Sequence, residues 1–303
     1  MINHYSAILT TYNSEFTVRR ALDSVLNQAK SPDEVIIVDD CSTDSTWKIL
    51  EDQANVNHKI KLLSTKFNSG PAGSRNLAIE NCSHDIVIFF DDDDVSDPQR
   101  SSIQLKNLEK SNLSYVSSQK IYNDGYKTNH LNIKYSGQIE ACDLIKYLLM
   151  GTKSSNFFFF VPASTLAARR SDLEKIGMFD TNLRRLEDVD LAIQASINKL
   201  FFTFSNEILV KRYHTTAPDK NVTIESENQI KVLDKYKKYI TPKFLSETES
   251  WYKLRRLYFE KNYLYLIVNI TKYICKFGLN KRTIDIGINR IRHDAKVNQT
   301  KND

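Results

Sequence analysis

The first hundred residues alternate short apolar runs with segments whose apolar positions have helical spacing. Four of these runs predict strands, at residues 6–10, 35–38, 61–64 and 86–90. After the first run, apolar residues recur at the i, i+3, i+4, i+7 and i+8 positions of one buried helix face: Val18, Ala21, Leu22, Val25 and Leu26. Strands that alternate with helices predict a parallel sheet with helices packed on both faces.

Two further helices in this region are predicted from residues that favour helix ends. Asp44 or Ser45 can cap a helix that runs to about Ala54. Another helix is expected to begin near Ala72 and to end before His84. The predicted order over the first hundred residues is therefore βαβαβαβ.

The pattern is less regular beyond residue 100, where it predicts α+β order. A helix follows Pro98, and a polar stretch spans residues 122–135. An amphipathic helix is predicted from five apolar positions: Ala141, Leu144, Ile145, Leu148 and Leu149. Residues 157–161 and 165–168 are apolar enough to form buried extended chain.

Helix signals dominate the rest of the chain. Ser171 and Glu174 have the spacing of a capping box, and Gly177 can end the helix that this box starts. A short helix is expected to begin near Glu187. From Thr223 the chain is predicted to be helical almost to its end.

Composition narrows the class of protein. The chain has 303 residues, and its 41% of hydrophobic residues can fill a sizeable core. Its 8 glycines and 6 prolines are too few for a collagen-like or low-complexity chain. No stretch approaches the roughly 20 apolar residues that span a bilayer, and the N-terminus lacks the pattern of a signal peptide. We therefore expect a folded, cytoplasmic protein.

The cysteines and the charge distribution add two expectations. The four cysteines are far apart and form no CxxC pair, so we expect reduced thiols and neither a zinc finger nor a disulfide framework. The net charge is +5, but residues 251–303 carry twelve Lys/Arg and four Asp/Glu, a net charge of +8. A basic tail on a mildly acidic body predicts an anionic partner for the tail, either lipid headgroups or nucleic acid.

Acidic residues follow two of the predicted strands. Asp39, Asp40 and Asp44 lie in VDDCSTDST, and residues 91–94 are four consecutive aspartates. Ligands of open α/β sheets bind at this carboxyl edge. The first group can also serve in loop and cap hydrogen bonds, and the second can form a solvated acidic turn. Clustered carboxylates repel one another, which favours a bound cation, and oxygen ligands favour Mg²⁺ or Mn²⁺.

These metal ions commonly hold phosphate oxygens, which makes a nucleotide diphosphate the natural ligand. The chain nevertheless lacks GxGxxG after its first strand and lacks a GxxxxGK[ST] loop. Those glycine motifs let backbone amides bind phosphate in dinucleotide folds and P-loop proteins. Their absence argues against hydride transfer and against P-loop phosphoryl transfer.

Five ordered motifs resemble those of family 2 glycosyltransferases. They are Thr10-Thr11-Tyr12-Asn13 with Glu15, VDDCSTDST, the segment 68–76 that resembles NxGxxxARN, the acidic run 91–94 that resembles DxDD, and Gly177-Met178-Phe179-Asp180 followed by Glu187-Asp188. The match covers roughly residues 5–215. It implies the α/β nucleotide-sugar-binding fold called GT-A, with a mostly parallel mixed sheet flanked by helices and a helical C-terminal extension.

The resemblance also implies a role for individual residues. The nucleotide would be bound by residues from four of the motifs: Thr10, Tyr12, Glu15, Asp40, Asn68, Arg75, Asp91 and Asp92. Asp40 would accept a hydrogen bond from the base, and the planar guanidinium of Arg75 suits a diphosphate. Asn68 could instead be a turn residue, and Arg75 could form a surface salt bridge.

The remaining roles concern the metal and the reaction. The resemblance implies Asp93 as the principal metal ligand, although Asp91/Asp93 and Asp92/Asp94 both satisfy DxD, and it places His214 near the metal or the diphosphate. Asp188 matches the catalytic base, which takes the proton of the acceptor hydroxyl in a single displacement that inverts the anomeric carbon. The alternative for Glu187 and Asp188 is an acidic helix N-terminus.

Acceptor binding is the least defined of these roles. We assign it to Glu187 and Arg169, the latter with a strand edge as the alternative. Residues 157–160 could line the acceptor site, although such a run is more typical of a core. Two residues depart from the family pattern, since Cys41 and Ala78 stand where glycine is usual. Cys41 raises a question about its loop if that position needs a positive φ.

The predicted organisation is a catalytic domain over 1–220 and a basic, aromatic, helical extension over 221–303. The catalytic domain divides into a nucleotide-binding half, 1–100, and an acceptor half, 101–220. Aromatic and basic residues alternate from Trp251 to Arg292, which is typical of an interfacial helix on anionic lipid. Peripheral contact with the inner face of the plasma membrane is one expectation; a helical cap on the catalytic domain or a dimer contact is the alternative.

The sequence therefore favours an inverting, metal-dependent transferase with a nucleotide-sugar donor, most simply UDP-linked. Its acceptor would be a glycan or lipid-linked glycan of a bacterial surface polysaccharide. A nucleotidyltransferase acting on a sugar phosphate is the alternative enzyme. A non-catalytic protein that binds nucleic acid or membrane through its tail is the alternative from another class. The acidic strand ends argue against nucleic acid, which is not an expected partner.

Overall fold

The structure is a computed structural model that describes residues 2, 4–150, 159–215 and 222–278. Ten strands occur in these residues: β1 Ser6–Thr11, β2 Glu34–Asp39, β3 Ile60–Ser64, β4 Ile86–Asp91, β5 Val95–Ser96, β6 Leu113–Ile121, β7 Lys127–His130, β8 Tyr135–Gly137, β9 Leu166–Arg169 and β10 Phe202–Tyr213. The same residues contain ten α-helices: α1 Val18–Leu26, α2 Thr46–Val56, α3 Gly70–Glu80, α4 Arg100–Leu108, α5 Ala141–Met150, α6 Arg170–Ile176, α7 Glu187–Ile197, α8 Val222–Lys235, α9 Pro242–Phe259 and α10 Tyr263–Phe277.

All ten described strands join one mixed sheet. Its main order is β3-β2-β1-β4-β9-β6-β10-β5, with β7 paired to β6 and β8 paired to β10. The four strands predicted in the first hundred residues are confirmed and form the parallel half, β3-β2-β1-β4. The other half is mixed, because β9 is antiparallel to both β4 and β6 while β10 is parallel to β6.

Both faces of the sheet are buried, as the alternation of strands and helices predicts. Ile8 of β1 lies in one apolar cluster together with residues of α3, α6 and α7. Its neighbours Ala7 and Leu9 lie in a second cluster with residues of α1, α2 and α4. Successive side chains of a strand point to opposite faces, so this central strand contributes to two helical layers.

The segment predicted as an extension begins with two helices that pack on α5 and α7. Val232 and Leu233 of α8 and Tyr252 of α9 are buried in a third cluster with Ile145 of α5 and Ile193 of α7. The Tyr252 hydroxyl donates to the Leu149 carbonyl at 2.7 Å. For α8 and α9, the helical-cap alternative is therefore correct. None of the described helices is long and apolar enough to cross a bilayer.

One local prediction needs correction. The capping box at Ser171 is not formed, because α6 begins at Arg170 and the Ser171 amide donates to Asp85 Oδ1 at 3.0 Å. Gly177 does end this helix, in the left-handed region with φ 95°. Of the residues 157–161 predicted as buried extended chain, 157–158 lie outside the described residues, and 159–161 belong to no strand although Phe159 and Val161 are buried. Phe159 is buried in the core, with its ring centroid 4.1 Å from that of Phe204.

Candidate active site

The register of the strands brings residues that were predicted to bind the nucleotide to one edge of the sheet. The central strand β1 lies between β2 and β4, with all three parallel. Thr10 is level with Asp91 on one side, and Thr11 is level with Asp39 on the other. The loops that follow these strands therefore emerge side by side at the carboxyl edge, where open α/β sheets bind ligands.

Asp40 organises the loop that leads into α3. Its buried carboxylate accepts hydrogen bonds from Thr65 Oγ1 at 2.8 Å, from the amide and hydroxyl of Ser69 at 2.8 and 2.9 Å, and from the Gly70 amide at 2.7 Å. A hydrogen bond from a nucleotide base to Asp40 remains a prediction. The contacts present fix the loop between residues 65 and 70 against the end of β2.

Cys41, the residue after Asp40, stands where the family usually has glycine, and its φ angle shows whether this position needs one. Cys41 has φ 65°, so this position is left-handed and a cysteine occupies it. Its thiol donates to the Thr65 carbonyl at 3.2 Å. A side chain is therefore accommodated in the conformation that usually favours glycine.

Three other residues that were predicted to bind the nucleotide also form hydrogen bonds that hold the loops in place. Glu15 Oε2 accepts from the Ser45 amide at 3.1 Å, at the N-terminus of α2. Asn68 Oδ1 accepts from Arg184 Nη1 at 2.7 Å. The Tyr12 amide donates to Asp92 Oδ2 at 3.0 Å, and 45% of this tyrosine is exposed. The Tyr12 ring is thus available to a ligand while its backbone is fixed.

The four aspartates after β4 divide into two sets. Asp91, Asp93 and Asp94 each offer a carboxylate oxygen within 4.8 Å of the others. Asp92 lies apart from that set, since its carboxylate accepts from the Tyr12 amide and the Ser14 hydroxyl. Burial, and then Asp93, raises the pKa of Asp92 to about 7. The arrangement favours Asp91/Asp93 as the DxD pair and adds Asp94 to it.

The three-aspartate cluster fits a divalent cation. Asp94 Oδ2 is buried and accepts no hydrogen bond from the residues that the structure describes. Burial, with the charges of Asp93 and Asp91, raises the pKa of Asp94 well above its usual range. A buried carboxylate oxygen that accepts no hydrogen bond, in a set made only of carboxylates, matches the ligand chemistry of Mg²⁺ and Mn²⁺.

Three residues that the sequence analysis did not single out surround this cluster. Arg212 Nε lies 3.7 Å from Asp94 Oδ2, and the Thr215 hydroxyl donates to Asp93 Oδ2 at 2.7 Å. Arg100 is fully buried behind the cluster, and its Nη2 donates to the Phe89 carbonyl at 2.7 Å. Arg212 lies two residues before His214, and Thr215 directly follows it. The position of Arg100 had no signal in the sequence.

Arg75 connects the acidic strand end to α7. Its Nη1 donates to Glu187 Oε1 at 2.7 Å and its Nη2 to Asp91 Oδ1 at 3.0 Å. Arg75 is 5% exposed and Glu187 is 7% exposed, so this is a buried pair and not a surface salt bridge. Burial opposes the charge of Arg75, but Asp91 and Glu187 raise its pKa overall. Burial, and then Asp188, raises the pKa of Glu187.

Asp188 occupies the first turn of α7, beside Glu187. It is partly exposed, and its Oδ1 accepts from the Val189 amide at 2.8 Å. The helix begins after Leu186, which has φ 68°. Asp188 also interacts electrostatically with Arg75, the residue that contacts Asp91, so it lies near the acidic cluster.

A comparison with known families decides what kind of protein carries this geometry. The sequence model of the family described as Glycosyl transferase family 2 matches residues 6–177, more than half of the chain. The chain belongs to glycosyl transferase family 2. This assignment confirms the resemblance inferred from the five motifs.

Curated relatives of this family 2 chain include named transferases. It is 34% identical over 112 residues to UDP-Glc:alpha-D-GlcNAc-diphosphoundecaprenol beta-1,3-glucosyltransferase WfgD of Escherichia coli, covering 37% of this chain and 43% of that protein. It is 26% identical over 253 residues to an uncharacterized glycosyltransferase of Haemophilus influenzae, covering 81% and 78% of the two chains. The match with the first of these proteins thus spans less than half of its length.

Solved structures confirm the fold. The family 2 chain aligns with Staphylococcus aureus TarS 1-349 in complex with UDP-GlcNAc at a TM-score of 0.62 and 18% identity, covering 90% of this chain and 81% of that one. TarS 1-349 in complex with UDP aligns at a TM-score of 0.58 and 21% identity, covering 86% and 73%. At these identities the likeness concerns the architecture, a central mixed sheet flanked by helices.

Two residues to which the sequence analysis gave a role, Arg169 and His214, do not lie with the other candidate site residues of the family 2 chain. Arg169 is paired with Ile86 at the opposite end of β4 from Asp91, with its guanidinium 3.5 Å from Asp85 and donating to the Leu108 carbonyl. Its assignment to acceptor binding is corrected, because β9 runs antiparallel to β4 and ends at the wrong edge. Arg169 ends an internal strand, since β9 lies between β4 and β6, so the strand-edge alternative does not describe it either.

His214 lies near the cluster without joining it. Its amide donates to the Ile121 carbonyl at 2.8 Å, and its ring stacks on Tyr122 with centroids 5.7 Å apart. Among the residues that the structure describes, the groups close enough to share an ion are the three aspartates and exclude His214. Its role toward the metal or diphosphate remains a prediction.

Proposed function

We propose that this family 2 chain transfers a sugar from a UDP-sugar to a hydroxyl of a glycan or lipid-linked glycan in the synthesis of a bacterial surface polysaccharide. One observation carries the proposal. The guanidinium of Arg75 joins Asp91 and Glu187, so the candidate metal ligands and the candidate base meet at one edge of the sheet. A sugar diphosphate bound there would have its metal site on one side and Asp188 on the other.

The names of the relatives support the choice of donor and acceptor. WfgD is named as a UDP-Glc-dependent enzyme with a diphosphoundecaprenol-linked acceptor. TarS is named as a poly(ribitol-phosphate) beta-N-acetylglucosaminyltransferase, and its structures contain UDP and UDP-GlcNAc. We infer the same classes for this chain, namely a UDP-linked donor and a surface glycan acceptor.

The cation would be Mn²⁺ or Mg²⁺, held by Asp91, Asp93 and Asp94. When bound, it supplies positive charge to oxygens of the donor diphosphate. Residues of the chain balance the charge around the cation and orient its ligands. Arg212 and Arg100 offset the charge of the cluster, and Thr215 orients Asp93 by its hydrogen bond.

Asp188 would accept the proton of the acceptor hydroxyl as that oxygen attacks the anomeric carbon. The bond to the nucleoside diphosphate breaks in the same displacement, and the anomeric configuration is inverted. Asp188 is partly exposed and forms one hydrogen bond to its own helix, which leaves carboxylate oxygen for the acceptor. Glu187 is buried against Arg75 and would fix the turn that carries the base.

The first experiment is a thermal-shift screen with UDP, GDP, CMP and their sugar conjugates, with and without Mn²⁺. A ligand that binds only the folded protein raises the melting temperature by mass action. We expect a shift with UDP that needs both Mn²⁺ and Asp93, and that is lost in Asp93→Ala. Exposed Asp52 of α2 provides the control, since Asp52→Ala should keep the full shift.

Product analysis separates the two enzyme classes. A glycosyltransferase releases UDP from the donor, either by transfer to the acceptor or by slow hydrolysis. A nucleotidyltransferase releases pyrophosphate. We expect UDP release that falls at least about a hundredfold in Asp188→Asn, the range of a lost general base. Release of pyrophosphate, or UDP release unaffected by Asp188→Asn, would contradict the proposal.

We also propose peripheral contact with an anionic membrane at the inner face of the plasma membrane, through α10. One face of this helix is apolar and exposed, with Leu264 75%, Ile267 64% and Val268 46% accessible. These positions follow the i, i+3, i+4 spacing, while Tyr273 on the other side packs toward α9, 3.3 Å from Glu247. Lys272 is exposed near the apolar face and supplies charge complementary to anionic lipid.

Vesicle sedimentation tests this contact. We expect the full chain to sediment with vesicles of phosphatidylcholine and phosphatidylglycerol, and to bind pure phosphatidylcholine more weakly. The double variant Leu264→Glu/Ile267→Glu should stay in the supernatant. Val56→Glu, which changes a 76% exposed valine of α2, should sediment like the parent chain. Equal sedimentation of all three proteins would refute the role of α10.

A further inference from the structure

A buried carboxylate ties the helix of the candidate base to the C-terminal extension. Asp190, in the first turn of α7, is fully buried. Its carboxylate lies 2.9 Å from Lys235 Nζ and accepts from the Tyr236 hydroxyl at 2.7 Å. Gln194 Nε2 donates to it at 2.9 Å. Two of these three donors come from the end of α8 and the residue that follows it, in the segment predicted as a C-terminal extension.

Lys235 joins this carboxylate to a second segment of the catalytic domain. Its Nζ also donates to Asp180 Oδ2 at 2.7 Å. Asp180 follows Phe179, whose amide and carbonyl are both bound by the side-chain amide of Asn76, at 3.0 and 2.8 Å. Asn76 is the residue after Arg75 on α3. One ammonium group therefore braces α7 and the loop that is fixed to α3.

The candidate base lies between two anchored neighbours. Glu187 is held by Arg75 from the sheet side, and Asp190 is held by Lys235 and Tyr236 from the extension. Residues three apart in a helix share a face, so both anchors act on one side of the first turn. These two anchors restrict the helix turn that carries Asp188.

We propose that Lys235 and Tyr236 are positioning residues that act through Asp190 to hold Asp188 in its reactive orientation. The extension then has a role in the transfer reaction that is separate from any contact with a membrane. This inference rests on the proposed function, since it concerns the same base. A displacement of about 1 Å at a reacting group can lower a rate about a hundredfold, even when the substitution is remote.

The test compares kcat and KM for UDP release from the UDP-sugar identified above. We expect Lys235→Met to lower kcat about tenfold or more with the donor KM unchanged, because the donor contacts are not altered. Lys235→Arg, which keeps the positive charge, should recover part of the loss. Tyr236→Phe removes one hydrogen bond and should give a smaller loss of kcat while the fold is retained.

Lys237→Met is the matched control. Lys237 is two residues further along the chain and forms an exposed ion pair with Asp234 at 2.8 Å, so this variant should keep the parent kcat. A purely structural role for Lys235 would change the melting temperature without a split between kcat and KM. Wild-type kcat in folded Lys235→Met and Tyr236→Phe would overturn the inference.

Hydrogen exchange gives a readout that needs no substrate. We expect faster amide exchange over residues 186–191 in Lys235→Met, with unchanged exchange in β1 and β4. If the parent chain releases no UDP from any donor, the proposed function fails, and the exchange experiment still tests the brace. Unchanged exchange in residues 186–191 would overturn the inference independently of activity.

Discussion

Replacement of Arg75 by methionine tests how strongly the buried ion pairs hold the site together. The change keeps the length of an unbranched side chain and removes the charge that faces Glu187 and Asp91. Its direct effect is to leave the carboxylate of Glu187, 7% exposed, without its cation. An uncompensated buried charge is among the most destabilising defects that a single substitution can produce.

The geometry sets the magnitude. The two contacts measure 2.7 Å to Glu187 and 3.0 Å to Asp91. At an effective dielectric constant of about 20, each attraction is about 6 kcal/mol before the cost of desolvation. Desolvation cancels much of this gain, and loss of one partner of a buried pair typically costs about 3–5 kcal/mol. We expect Arg75→Met to lower the free energy of unfolding by that amount.

Urea denaturation in metal-free buffer, followed by circular dichroism, measures the change. A double-mutant cycle with Glu187→Gln isolates the interaction between Arg75 and Glu187. The loss of unfolding free energy in the double variant should be smaller than the sum of the losses in the two single variants, by about 0.5–3 kcal/mol. Arg19→Met is the matched control, because Arg19 forms an exposed pair with Asp23 at 3.5 Å. Equal stability of Arg75→Met and Arg19→Met would refute the reasoning, since it would mean that Glu187 is readily solvated or neutralised.

Three further predictions concern single positions. Cys41→Gly should raise the free energy of unfolding by about 0.5 kcal/mol, measured by urea denaturation, because the residue has φ 65°. Tyr252→Phe should lower it by about 1 kcal/mol, as the Leu149 carbonyl loses its donor. Burial, and then Asp93, raises the pKa of Asp92 to about 7, so the folded state holds a proton that the unfolded state releases near pH 4. The stability that this proton contributes is lost as pH rises toward 7, and the stability of Asp92→Asn relative to the parent should increase over that range by at most about 1.4 kcal/mol per pH unit.

The parts of the fold that the sequence predicted are those with a clean hydrophobic pattern. Strands β1, β2 and β4 are buried along nearly their whole length, and all four of the first strands alternate with helices of regular spacing, so the βαβαβαβ order along the chain follows from the sequence alone. Strand β6 escaped prediction because three of its buried residues are serines: Ser114, Ser117 and Ser118. Strand β10 contains register shifts between Phe204 and Val210 that interrupt its alternation.

The candidate site shows the same division between local and non-local information. The acidic run after β4 and the Glu187-Asp188 pair are local motifs, and the structure places both at one edge of the sheet. Arg169 was misplaced because the edge at which a strand ends depends on its direction, and β9 is antiparallel to its neighbours. Arg100 and Lys235 act through contacts across the chain that no local spacing indicates.

The hydrogen bonds to Asp40 also affect the affinity for any ligand of this edge. Four donors from residues 65–70 already converge on its carboxylate in the free chain. Ordering a backbone residue opposes association by about 1–2 kcal/mol. For this loop that entropy is lost when the chain folds, before a ligand arrives. A nucleotide would therefore meet a preorganised surface, and a substitution that freed the loop would weaken binding even if every ligand contact were kept.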